Sequence, residues 1–170
     1  MTPAVNGLLI WALLLGGAHR VGRSLDGEAQ RPREPTPVTL TQERPSGYFP
    51  LDRETLASAP PVLAVTIIRV VNPGQTALQI FIYLSYRQRV GEKGTELRKI
   101  LIGNVGLYPP DRPAGFRLRA SSAFRQLKAA SPNPAEVRLR LEMKRIHETR
   151  PWTPVEVIVA PPEWQTDASK

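Results

Sequence analysis

The chain contains no cysteine, which excludes disulfides, thiolate nucleophiles and thiolate metal ligands. Histidine is nearly absent too: His19 and His147 are the only two, and they are not spaced as a ligand pair. His147, in "KRIHETRPW", reads as an exposed loop residue. No metal site follows from such a set, and no cofactor is implied. The motifs of nucleophilic serine chemistry, G-x-S-x-G and S-x-x-K, are missing. The glycines of "GEKGTE" are not followed by Gly-Lys-Ser/Thr, so they make no phosphate loop. A carboxylate pair for acid–base work must converge in one cleft. Glu136, Glu142 and Glu156 instead fall at outward or terminal strand positions, as surface charge does. The expectation is a chain that is not an enzyme.

Positive charge is abundant. The formal net charge is +8, and it is unevenly placed. Residues 61–160 carry sixteen Lys and Arg against seven acids, while residues 1–60 are balanced at six of each. A basic domain favours anionic partners such as phosphates, anionic headgroups or acidic protein faces.

The first segment is apolar: "NGLLIWALLLGGAHRVGR", with Leu8, Leu9, Ile10, Trp11, Leu13, Leu14 and Leu15 at its centre. Helix over 4–18 reaches only about 22 Å at ~1.5 Å per residue, short of a ~30 Å hydrocarbon core. Extended over 2–21 it reaches, with Pro3 in the first turn and His19, Arg20 and Arg23 able to snorkel. A signal peptide is the alternative, with "GGA" before a cut after Ala18. Against it, no Lys or Arg precedes the run, and Arg20, Arg23, Arg31 and Arg33 follow it. The positive-inside rule then places the folded domain in the cytoplasm, tethered by a single pass. Cleavage would make it periplasmic or secreted. Residues 24–61 are Pro-rich and read as an extended linker.

Residues 62–164 alternate as strands do. Residues 62–71 are β-branched and apolar, and "NPGQ" then suits a type II turn into a hairpin. From Leu78 the chain puts Leu78, Ile80, Ile82, Leu84 and Tyr86 on one face and Gln79, Phe81, Tyr83 and Ser85 on the other. A polar loop from Arg87 leads to a strand over 97–107, bulged at Gly103 or Gly106. "GFRLRA" and "AEVRLRLEMKRI" alternate cleanly, and "PVEVIVA" closes the set. One two-turn helix, capped by Ser121 or Ser122, precedes Pro132. The expected fold is all-β: an antiparallel β-sandwich of about six strands and one short helix, preceded by the apolar helix and the linker, with 165–170 as a tail.

The words "LQIFIYLSY", "IGNVGLYPP", "FRLRASSAFRQL", "VRLRLEMKRI" and "VEVIVAPPEW" come in an order that resembles the small β-sandwich following the copper domain of polyphenol oxidases and tyrosinases. The resemblance covers residues 62–164 and implies the fold and a packing role. It implies no oxidase activity, because the copper domain is missing and two histidines cannot hold two coppers.

Five cations project from two strands: Arg117 and Arg119 from one, Arg138, Arg140 and Lys144 from the other. If these strands are neighbours they form one patch for an anionic partner. No aromatic lies between the charges on either strand, so nucleic acid is the less expected partner. Trp152 and Trp164, each beside Pro or Glu in loop-like sequence, are candidate interface aromatics or lids on the sandwich end. The functional expectation is a non-catalytic, membrane-tethered accessory subunit. It would dock on protein subunits of a larger membrane assembly and touch lipid through its N-terminal helix. An exported binding or chaperone-like domain and a basic nucleic-acid-binding domain are the alternatives.

The anchor reading predicts that the full chain fractionates with membranes and keeps Met1 or Thr2 at its N-terminus. N-terminal sequencing that starts at His19 contradicts it.

Overall fold

The computed structural model describes residues 36–91, 94–132, 134–147 and 153–166. The apolar run at 8–15 and Trp152 lie outside them. Among the described residues no helix is long and apolar enough to cross a membrane.

Two antiparallel sheets pack face to face. One has the order β1 (Val38–Thr41), β8 (Glu156–Val159), β3 (Val62–Val71), β6 (Ala114–Arg119), with β9 (Glu163–Gln165) also paired to β3. The other has the order β2 (Ser46–Pro50), β7 (Ala135–Arg145), β4 (Leu78–Val90), β5 (Gly94–Leu107). We call them the β3 sheet and the β4 sheet. Alternate residues from each fill the space between: Leu63, Val65 and Ile67 on β3, Ile80, Ile82 and Leu84 on β4, Leu139 and Leu141 on β7, and Val157 on β8 are all essentially inaccessible. Helix α2 (Ser121–Ala130) closes one end with Ala123, Phe124 and Leu127.

Several expectations change. Residues 38–58, read as linker, form β1, β2 and the short helix α1 (Arg53–Ser58), whose N-terminus Asp52 caps by accepting the Thr55 N–H at 2.6 Å. This holds Asp52 below the usual carboxylate range. The segment hid because it buries only Leu40, Gly47 and Phe49 from its strands, and a Cβ on Gly47 would collide with the Val38 side chain.

β3 and β4 are not a hairpin. They belong to opposite sheets, and 72–77 is an arch between them. The buried Asn72 side chain shapes it: Nδ2 donates to the carbonyls of Thr76 (2.8 Å) and Pro110 (2.9 Å), and Oδ1 accepts the Thr76 N–H (3.0 Å). The turn is not type II, since the left-handed residue is Gln75 (φ 46°) and not Gly74. Gly74 is needed for closeness, because a Cβ there would strike the Thr153 side chain.

The expected polar loop after Arg87 is strand. β4 and β5 pair as far as Val90 and Gly94. A register shift in this ladder skips Ile102, beside Gly103, where the bulge was expected. Helix α2 has Ala120 at its N-cap with no side-chain bond, so Ser121 and Ser122 are exposed first-turn residues and not caps. Trp164 lies on β9, half-buried and tilted against Phe124 at 5.3 Å, which makes it a lid on the core end.

Leu141 is fully buried, so Leu141→Ala should cost about 2–5 kcal/mol. Arg140→Ala, on the outer side of the same strand, should cost about 1 kcal/mol. Urea denaturation of the two variants checks the facing of β7, and a larger loss at Arg140 contradicts it.

Candidate docking face

Strand period dictates what the sheets show to solvent. Burying Val137, Leu139, Leu141 and Met143 sends Arg138, Arg140, Glu142 and Lys144 outward. The same holds for β6, which sends Arg117 and Arg119 outward. But β6 lies in the β3 sheet and β7 in the β4 sheet. The five cations therefore do not form one patch. They divide between opposite faces of the sandwich.

The β3-sheet pair is modest. Arg117 Nη2 donates to Gln165 Oε1 at 2.6 Å, and Arg119 is exposed nearby on the edge strand. The β4-sheet face is richer. Its register sets Tyr83 and Tyr48 on either side of Arg140, Phe81 beside Glu142, and Gln79 beside Lys144. Phe81 and Tyr83 are nearly parallel (15°), with centroids 6.3 Å apart. Each ring carries a cation. Lys144 Nζ stands 5.0 Å over Phe81, Lys99 Nζ 5.0 Å over Tyr83, and the Arg140 guanidinium 5.3 Å over Tyr48.

Aromatics and cations thus interleave on this face, which neither strand's own sequence displays. The rings come from β2 and β4, the charges from β5 and β7. Sequence reading had Phe81 and Tyr83 on the correct side of β4, and missed Tyr48 and Lys99 as members of the face. Cross-strand register was the missing information.

Among the described residues, Glu142 is the only acid at the centre. Its side chain is 13% exposed. Lys99 Nζ donates to its Oε1 at 2.8 Å. Arg140 Nε lies 2.6 Å from the same oxygen but is not aimed at it, and makes no hydrogen bond while buried. That contact is a charge pair. Burial alone would raise the Glu142 pKa. The Lys99 hydrogen bond and the charges of Arg140, Lys99 and Lys144 outweigh it, so the carboxyl sits below its usual value. A second acid, Glu136, takes Arg87 Nε at 3.1 Å and Arg138 Nη2 at 3.8 Å near the margin. Lys99, Arg138, Arg140 and Lys144 leave the face net positive around Glu142.

The clefts carry less chemistry. One of about 470 Å³ lies at the sandwich end between Glu43, Arg69, Val71 and Glu156, and another of about 550 Å³ lies between α1 and α2, lined by Arg53, Leu56, Phe124 and Lys128. Among the described residues, no three His, Asp or Glu side chains converge to hold a metal. No protein-family model, no curated protein and no solved structure matches the chain.

A carboxylate held ionised by folding stabilises above its unfolded pKa, and that contribution is lost as pH falls through the folded value. Stability should therefore drop below about pH 4.5 in wild type. The drop should be shallower in Glu142→Gln, which has no proton to take up there. Urea midpoints between pH 3 and 7 check this, and parallel curves contradict the network.

Proposed function

We propose that the chain is a non-catalytic, membrane-tethered accessory subunit whose β-sandwich docks on a larger membrane assembly through the outer face of the β4 sheet. One observation carries the reading: three cations held over three aromatic rings on one face of a sheet. Cations parked on rings lose less side-chain freedom when they meet an anionic partner, and Tyr and Arg are the residues that dominate interface energetics. The face is net positive, so the partner surface is acidic. The segment 1–23, read as anchor, keeps the domain near that partner, and individually weak contacts then suffice. The arrangement reads as a positioned surface and not as a reaction centre. Both clefts lack a nucleophile–base pair, and the resemblance to an accessory β-sandwich agrees with a packing role.

The split of the basic residues between two faces makes the test internal. Changing Arg138, Arg140 and Lys144 together to Ser should weaken co-purification with the native membrane assembly at least tenfold. Changing Arg117 and Arg119 to Ser should leave it within about twofold, since an exposed charge off the contact contributes little. Circular dichroism on both variants confirms the fold. Equal loss from both, or none from the β7 triple variant, removes the β4-sheet face as the docking surface.

A further inference from the structure

The β4–β5 hairpin outruns the sandwich. β7 accompanies β4 only as far as the pair Arg87–Ala135, whereas β4 and β5 continue together to Val90 and Gly94. Residues 94–99 are all exposed, Leu97 at 53% among them, and Val90 on β4, opposite Gly94, is 50% exposed. β5 is also the last strand of its sheet, so among the described residues its far edge is unpaired. A two-stranded ribbon with an open edge is marginal by itself and is a template for another strand, and this edge carries one exposed leucine among charged residues.

We propose that this edge pairs with the same edge of a second copy, antiparallel and centred on Leu97. Two identical antiparallel strands are related by a two-fold axis normal to the sheet, so one residue must face its own copy. Centring on Glu96, Arg98 or Lys99 sets like charges directly opposite each other, which is destabilising. Centring on Leu97 sets Leu97 against Leu97, Glu96 against Arg98 on both sides, and Thr95 against Lys99. Glu96 and Arg98 already attract within one chain, at 2.8 Å and about half-exposed, and are free to exchange partners. Charges that merely blunted the edge would have no reason to be self-complementary at one register and repulsive at its neighbours.

The symmetry has a consequence for the outer face. Leu97 alternates with Lys99 and lines the same small hollow as Tyr48, Arg87 and Arg138, so it lies on the basic, aromatic side of the sheet. A two-fold normal to the sheet keeps that side facing one way in both copies. The paired β4 sheets become one continuous eight-stranded sheet, and the two basic faces become one. The inference itself stands on the edge and its charges, and survives if the docking reading fails.

The natural lack of cysteine makes the test clean, because any disulfide reports the introduced thiol alone. Directly opposed residues in an antiparallel pair have Cα atoms about 4.5–5.5 Å apart, within the range a disulfide bridges. The full chain carrying Leu97→Cys, in mild detergent under a glutathione redox buffer, should form a covalent dimer. Leu101→Cys, exposed on the same strand and face, should not, since the paired positions would stand roughly 27 Å apart. Without any cysteine, Arg98→Glu should lower the dimer fraction in sedimentation equilibrium at least fivefold, and Glu96→Arg combined with Arg98→Glu should restore it. The inference is overturned if Leu97→Cys stays monomeric, if Leu101→Cys links equally well, or if the double variant fails to recover. Circular dichroism on each variant separates a broken edge from an unfolded arm.

Discussion

The apolar layer between the two sheets constrains everything outside it. A strand's side chains alternate with a period of two, so a slip of one residue would exchange its entire buried and exposed sets. Leu139 and Leu141 must point inward because each meets no water in the folded chain. Arg138, Arg140, Glu142 and Lys144 have no other side left. The same reasoning fixes Phe81 and Tyr83 once Ile80, Ile82 and Leu84 are buried on β4. The basic, aromatic face is therefore a product of the core's packing, and no separate device is needed to assemble it. Its cations gain order from the rings beneath them and from one central carboxylate.

That dependence also explains what could be read beforehand. The alternation in "VRLRLEMKRI" and "LQIFIYLSY" assigns inward and outward sets without any structure. Both match the observed burial except at Ser85, which the alternation assigns outward and which is buried, its hydroxyl donating to the Arg138 carbonyl. Which strands pair is a different matter. "NPGQ" has turn chemistry that serves a hairpin or an arch equally well, and the choice rests on Asn72 reaching Pro110, a contact 38 residues away. β1 and β2 escape detection because a strand covered on one face by neighbours needs few apolar residues, and here one of them is a glycine. The basic, aromatic face was legible in halves: its charges from β7, two of its rings from β4. Their juxtaposition depends on the β4–β7 register, which no local pattern encodes.

Electrostatics gives the face its character without making it a large source of stability. Exposed ion pairs contribute little, and salt screens them over roughly 8–10 Å. The fold should be indifferent to moderate salt, because apolar burial holds it. Binding to an acidic partner should be sensitive to it. The proposed tether would support such a design, as it would maintain local concentration while contacts form and break. Pairing through β5 would add a second face to the same surface, multiplying weak contacts without strengthening any one of them.

The central claim is that the outer face of the β4 sheet is covered in the native assembly. Amine acylation of intact membranes, followed by peptide mass analysis, tests it most directly. Lys99 and Lys144 lie on that face, whereas Lys128 is exposed on α2 at the sandwich end. The account predicts that Lys99 and Lys144 are several-fold less reactive in membranes than in the purified chain, while Lys128 reacts equally in both. Equal labelling of Lys99 and Lys144 in the two preparations would contradict it.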